Sequence, residues 1–525
     1  MIKRIKDKIV SFWQYLKNNR LVVLKHVIIL SGIVVMSFII NFILSLFLSD
    51  SILAHVNRTI FIIVSGLAIY FLILFRGNVE KTFLSLSLSI GILYIIAIPS
   101  MVRVTWDDES HFYTALEQSV IINVPITPSL LEFRLSEPIG FQDPSKFFNS
   151  ESYLNFLREM NSPEKNVVID VVPKDYSYFQ YSIGHIPAGI MIFIGRNLNL
   201  PASAVFDMGR LGILLVFSFA VYAAIKRLSS GKHIMAIIAL FPTVIFQATN
   251  YSIDSWVIAL VMLGLAYFFY EIQHPDAIIS KKSMIIMFSA FVLGLAPKAI
   301  YFLIMGLLYL MPKSKFENNK DYKRYIIVLT VLIAMVVGSF LIPFIVTRGG
   351  DGDMRGSLAV GPRAQVMFIL QNPLTYATIV FNFFMDYFSF NNSRDYMTFF
   401  AYLGYVPNTT LIWLLLGFAV ITDKNPLDSH TTNIKYKIIV LFIFFATATL
   451  FTTAMYISFT SVGALVPAGV QGRYILPLLF PLFFVIGSSK TRNELNKKIY
   501  SPVILSLMSF VLLRAIWVAA VSKYY

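Results

Sequence analysis

The chain has 525 residues, 57% of them hydrophobic and 14% charged, with a mean hydropathy of +0.72. That balance excludes an ordinary soluble domain, because the apolar residues arrive in runs of about 20, enough to cross a bilayer core as a helix. The formal charge of +15 would suit nucleic acid in a soluble protein. Here the Lys and Arg sit in short loops beside apolar runs, the positive-inside pattern, so the expected partner is the lipid bilayer and not nucleic acid. The absence of Cys excludes a disulfide framework and a thiolate metal site and leaves the compartment open.

In chain order, residues 1–26 come first. Ile2, Ile5, Ile9, Phe12, Trp13 and Leu16 recur at helical spacing opposite lysines, which predicts an amphipathic helix on the cytoplasmic leaflet. The run 27–48 exceeds a signal-peptide core and lacks a small-residue cleavage site, so it is expected to stay as an anchor. With 58–75 and 82–101 it makes three spans over 27–101. The polar stretch 102–204 is expected outside; within it the apolar run Ile183 to Ile194 is only about 18 Å long as a helix and reads as re-entrant or interfacial. Six spans follow over 205–346: 205–225, 234–249, 254–271, 282–295, 299–311 and 325–346. Residues 347–397 read as an external loop followed, over 364–390, by an interfacial helix pair. The C-terminal part, 398–525, carries 398–421, 437–459, 474–488 and 502–520. The expectation is an all-α polytopic membrane protein of about 13 transmembrane helices. No internal repeat is found, which weighs against a transporter built from repeats.

Loop charge supplies an independent check. With a cytoplasmic N-terminus and alternating sides, Arg76 and Lys81, Lys226, Arg227 and Lys232, Lys281 and Lys282, Lys313 to Arg324, Lys424 to Lys437, and Lys490 to Lys498 all fall inside. Counting Ile183 to Ile194 as a full span would export Lys226, Arg227 and Lys232. The unusual polar residues then converge on the outer face.

The acidic segment Trp106-Asp107-Asp108-Glu109-Ser110-His111-Phe112 follows an apolar run. Partly desolvated, one of Asp107, Asp108 and Glu109 suits a general base for a hydroxyl or a ligand for a hard divalent cation, with Asp107 and His111 sharing a helix face; acids at a helix N-terminus are the plainer alternative. Asn250 and Asp254 stand in a tight outer turn, where Asp254 also reads as a helix cap. Lys298, in Ala296-Pro297-Lys298-Ala299, is a basic residue in a short external turn, against the charge rule; an anionic ligand or a side chain snorkelling to lipid headgroups accounts for it. Gln471-Gly472-Arg473-Tyr474 offers close backbone approach and a planar fork for phosphate. Arg210 falls inside the outer leaflet and is a candidate by position; Arg514 is similar without a supporting motif. The stretch RGGDGDMRG, residues 348–356, lacks the ligand positions of a calcium loop and reads as a mobile external loop. No Gly-rich nucleotide-cradling loop is found.

Asp108-Glu109-Ser110-His111-Phe112 is similar to the acidic motif in the first external loop of GT-C glycosyltransferases, notably the protein O-mannosyltransferases. The wider pattern, with Tyr181 to Leu211 (His185 standing where a second proline is expected), Asn250 to Ser255, Pro297 to Tyr301 and Gln471 to Pro477, resembles the bacterial membrane family catalogued as domain of unknown function 2142, grouped with GT-C enzymes. The resemblance implies a GT-C-like fold in the bacterial plasma membrane and sugar transfer, with inversion, from a polyprenyl-phosphate donor to an extracytoplasmic cell-envelope acceptor such as a glycan or teichoic acid. Asp108 would be the base, then Asp107 or Glu109; His111 would orient; Lys298, Arg473 and Arg210 would hold phosphate, with Asn250, Asp254, Gln471, Tyr474 and His185 lining the substrate. No cofactor is required, and a divalent cation, Mg or Mn, is compatible. The rival classes are a polymerase or ligase acting on lipid-linked oligosaccharides, favoured by Arg348, Arg355 and Arg363, and a lipid or glycolipid transporter.

Overall fold

A computed structural model describes residues 18–48, 51–119, 144–162, 183–346, 360–423, 433–487 and 493–524. The N-terminal helix over 2–16, Arg348, Arg355 and the RGGDGDMRG loop lie outside these residues. Among the described residues the secondary structure is helical, and nine helical stretches are long and apolar enough to cross a membrane. The protein is therefore a polytopic membrane protein, with fewer such helices than the 13 expected.

The first three helices are α1 (Arg20–Ser45), α2 (Ile52–Leu74) and α3 (Val79–Ala97). Ser51 and Asn78 accept the first free N–H groups of α2 and α3. Then come α4 (Asp108–Ser119), α5 (Ser150–Met160) and α6 (Ile186–Asn197), none long enough to cross. The expected short apolar segment is thus a twelve-residue helix. It packs with α4 and with the long α7 (Ala202–Arg227).

The span expected over 234–249 is two short helices, α8 (Lys232–Ala239) and α9 (Pro242–Ala248). Pro242 lacks the N–H that would continue the ladder and starts a new helix instead. Apart from Lys232 at the start of α8, both are buried in the fold, where no lipid thickness needs matching.

Next are α10 (Asp254–Gln273) and α11 (Lys281–Leu295), the latter running into a 3₁₀ helix, Ala296–Leu310. Composition alone makes 281–310 one stretch of 30 residues. Straight, it would be about 45 Å long. Yet the Ile279 amide donates to the Lys315 carbonyl at 2.9 Å, so the stretch must fold back on itself, and it does so at Lys298, whose backbone is non-helical (φ −138°, ψ 64°).

The remaining helices are α12 (Asn319–Val346), α13 (Pro362–Gln371), α14 (Pro373–Tyr387), α15 (Arg394–Met397), α16 (Thr409–Thr422), α17 (Ile434–Ser458), α18 (Leu476–Ile486) and α19 (Lys497–Ala519). The expected helix pair over 364–390 is α13 and α14, which meet at 105° across Asn372–Pro373, and α14 runs beside α17 from Tyr376 on Thr453 to Phe388 on Phe444, near the middle of α17. The span expected over 398–421 shrinks to the 14 residues of α16. Ala401, Gly404 and Asn408 have positive φ, and 398–406 closes into a turn.

The loops sort to two ends. At one, Arg76 meets the Lys498 carbonyl, Lys232 pairs with Glu80, and Arg227 and the fully buried Lys315 share Glu271. There too Asp423 caps α8 through the His233 amide and, through the imidazole, reaches Ser501 at 2.8 Å. This chain of side chains ties the end of α16 to the starts of α8 and α19. The other end carries the acidic segment, the Lys298 turn, Asp254 and Arg473.

Candidate functional site

The site grows from the end of α3. Residues 98–107 reverse the chain, with positive φ at Met101 and Asp107. Asp107 precedes α4, and its carbonyl accepts the His111 amide at 3.0 Å. Asp108 is 5% exposed. Its Oδ2 accepts the Val104 and Thr105 amides at 2.8 and 3.1 Å, locking the approach loop, while the buried Oδ1 has no hydrogen-bond partner. Burial, reinforced by the Glu109 charge and only partly offset by the two amides, pushes this carboxyl up to about 8. Glu109 instead pairs with Arg103 at 3.2 Å, and Arg103 lies over the Tyr402 ring. The three adjacent carboxylates thus have three environments, and Asp108 is the most buried of them, with the Glu109 side chain as its acidic neighbour.

One turn along α4, His111 Nδ1 lies 2.9 Å from His185 Nε2. His185 is the residue before α6, where Gly184 lets the backbone approach Ile253 and Pro297. Burial, then the charges of His185 and Arg473, hold His111 well below the ordinary imidazole range, so it is neutral at pH 7.

Asp254 opens α10 beneath them. Lys298 contacts its Oδ1, and Arg473 Nε lies 3.1 Å from its Oδ2. The turn at Lys298 aims its ammonium there and over the Tyr474 ring, 4.9 Å away. The Arg473 guanidinium stacks 4.2 Å from Trp106, which brings it against the acidic segment. Arg473 is 6% exposed, and its Nη1 is buried without a hydrogen-bond partner. Tyr301 and Tyr387 hold the segment by donating to the Tyr474 and Gln471 carbonyls, both at 2.9 Å. Gly472 is required there: a Cβ would stand 2.5 Å from the Asp395 backbone. Two cations on one carboxylate leave a net positive charge. Among the described residues no three His, Cys, Asp or Glu side chains gather as a metal site.

Asp107, Asp108, Glu109, His111, His185, Asp254, Lys298, Gln471, Arg473 and Tyr474 therefore share one end of the fold. Arg210 and Asn250 have other work. The Arg210 guanidinium donates to the carbonyls of Ile95, Ile98 and Thr249, to Asp207 at 3.2 Å and to Asn250, whose amide is further bound to the Phe246 carbonyl. Arg210 is 1% exposed. It ties the end of α3 to α7 and α9 by satisfying carbonyls that no helical ladder uses. Arg514 donates to Asn408 at 3.0 Å, and Arg363 stands at the start of α13. Sequence reasoning missed Arg103, Asp395 and Asp207; only Asp207, three residues before an intramembrane Arg, carried a local signal.

A family model described as "Predicted membrane protein (DUF2142)" matches residues 88–482, which takes in every residue of this cluster. No curated protein and no solved structure matches the chain.

Proposed function

The chain belongs to the DUF2142 family of predicted membrane proteins, and on that premise we propose that it is a GT-C-type glycosyltransferase whose acidic-motif end faces the outside of a bacterial plasma membrane. The donor is a polyprenyl-phosphate-linked sugar and the acceptor a hydroxyl of a cell-envelope polymer. The observation that carries this reading is the buried Asp108 carboxyl at the end of the fold where two cations share the Asp254 carboxylate and one of them, Arg473, lies over Trp106 of the same segment.

In the proposed step Asp108 Oδ1 takes the proton of the acceptor hydroxyl. The hydroxyl oxygen bonds to the anomeric carbon as the bond from that carbon to the phosphate oxygen breaks, inverting configuration. Polyprenyl phosphate leaves with the electron pair, and Lys298 and Arg473 stabilise its growing charge. Neutral His111, held by His185, orients without adding a positive charge that would lower the proton affinity of the base. The lysine-rich end faces the cytoplasm, as loop charge predicts. No divalent ion is needed in this scheme, because protein cations stand where it would act.

The test is transfer from radiolabelled polyprenyl-phosphate sugars to cell-envelope acceptors by the purified protein, with Asp107→Asn, Asp108→Asn and Glu109→Gln in parallel. Loss of transfer in Asp108→Asn alone, with folding retained, is expected. Full activity in all three variants, or donor binding without transfer across the panel, overturns the proposal.

A further inference from the structure

Gln247 lies in α9, is wholly buried, and neither its Oε1 nor its Nε2 has a hydrogen-bond partner. A buried carboxamide with both ends unmatched is unusual, since interiors satisfy nearly all such groups. Its position makes it informative. One turn earlier on the same helix face, Thr243 exchanges hydrogen bonds with the Phe399 backbone, at 2.8 Å to its amide and 3.1 Å to its carbonyl. Phe399 packs on Trp106, with ring centroids 5.4 Å apart. At the C-terminal end of α9, Arg210 bridges the Thr249 and Ile98 carbonyls, which draws the start of the 98–107 turn over the helix. Gln247 therefore sits between two points that are each linked to the turn carrying Asp108 through one intermediary, Phe399 on one side and Arg210 on the other.

Around that turn other buried polar atoms are also without partners: Thr105 Oγ1, Asp108 Oδ1, Gln471 Oε1 and Arg473 Nη1. Trp106 joins them, lying between Thr105 and Asp108 in sequence and under the Arg473 guanidinium in space. Charge is already provided for phosphate by Lys298 and Arg473. What a neutral amide adds is one donor and one acceptor about 2 Å apart, the pattern that recognises a hydroxyl pair.

We infer that Gln247 is a substrate-positioning residue whose carboxamide binds hydroxyl groups of the sugar carried by the donor. This rests on the glycosyltransferase reading and extends it to sugar selection from beneath the Trp106 turn. The loss of such contacts leaves buried polar groups unmatched in the protein, so discrimination between hydroxylated ligands is the property most affected.

The experiment compares binding of polyprenyl phosphate and polyprenyl-phosphate hexose to the full chain, in wild type, Gln247→Met and Gln247→Glu, with a simple methyl hexoside as competitor. The probe is quenching of tryptophan fluorescence, supported by thermal shift. Wild type is expected to prefer the hexose conjugate by roughly tenfold, and Gln247→Met to lose that preference while binding polyprenyl phosphate as before. Because Met is apolar and similar in volume, a merely buried amide would gain thermal stability on substitution and keep the preference; that result overturns the inference. Equal wild-type binding of both lipids overturns it as well and leaves the phosphate assignment intact. Binding of neither lipid removes the glycosyltransferase reading and this inference with it. If the methyl hexoside alone competes, with no preference between the lipids, the hydroxyls belong to the acceptor and the donor assignment fails. Gln247→Glu, which keeps an acceptor and loses the donor, is expected to fall between wild type and Gln247→Met.

Discussion

Asp108→Asn separates the chemistry of the acidic motif from its architecture. The asparagine side-chain oxygen can still accept the Val104 and Thr105 amides, so the turn survives, but the group no longer titrates. In the unfolded chain the carboxyl ionises near its ordinary 3.8; in the fold burial moves it to about 8. Between those values the native state holds a proton that the unfolded chain has lost. Stability therefore falls as pH rises through this window, by about 1.4 kcal/mol per unit and by at most about 6 kcal/mol across it. Below 3.8 and above 8 the contribution is flat.

The assay is thermal unfolding of wild type and Asp108→Asn in one detergent from pH 5 to pH 9. The curves are expected to lie close at pH 5 and to diverge as pH rises, with wild type the less stable above pH 8. Transfer activity should run the other way, rising towards a limit near pH 8 as the carboxylate forms, and Asp108→Asn should be inactive throughout. Parallel unfolding curves would refute the argument that Asp108 is neutral in the resting protein. Glu109→Gln, which removes the neighbouring charge, should end the divergence at a lower pH and make it smaller.

Three further outcomes follow. Asp254→Ala leaves Lys298 and Arg473 unneutralised beside each other and should cost about 3–5 kcal/mol, read as a fall in Tm that Asp254→Ala/Lys298→Met partly restores; no restoration would mean the pair is not coupled. Arg210→Met should lower Tm and expression by freeing the Ile95, Ile98 and Thr249 carbonyls, while the protein that does fold keeps its affinity for polyprenyl phosphate; a selective loss of that affinity would return Arg210 to the phosphate site. Because the chain has no Cys, single cysteines at the exposed Asn199 and Lys320 report topology: an impermeant maleimide should label Asn199→Cys in intact cells and Lys320→Cys only after lysis, and the reverse would invert the proposed orientation.

The sequence makes the ends of this molecule more legible than its middle. Loop charge sorts the chain into two sets, and the contacts of Arg76, Arg227, Lys232, Lys315 and Lys498 gather one set at a single end. Hydropathy fails where helices are surrounded by protein. The apolar stretch over 234–249 breaks at Pro242, because it is surrounded by protein and needs no bilayer's length, whereas that over 398–421 is shortened by the turn at Gly404 although α16 still exposes Leu414, Phe418 and Ile421. The Lys298 turn is readable, since a lone basic residue at Pro297-Lys298 in an apolar run is costly without a reason; its partner Asp254, 44 residues away, is not. Arg210 shows the converse, because an intramembrane Arg reads as functional until the carbonyls it satisfies are seen. Gln247 is invisible in sequence, since only burial without a partner sets it apart from any polar residue near a helix end.

Charge accounting links the two halves of the proposed site. Lys298 and Arg473 against Asp254, with His111 neutral, leave one positive charge, the complement of a sugar phosphodiester. As the diester becomes a polyprenyl phosphate monoester, a second negative charge develops and the cluster no longer balances it. The proton released by the acceptor needs a home in the same moment. Asp108 is suited to that, because burial already favours its neutral form, so taking the proton removes a carboxylate from beside the leaving phosphate as the phosphate's own charge grows. On this reading the raised Asp108 carboxyl and the incompletely neutralised Arg473 are parts of one device. Lowering the first with Glu109→Gln should reduce the limiting rate reached above pH 8, where the base is fully ionised, and an unchanged or higher limit would show that the proton affinity of Asp108 does not contribute to the step.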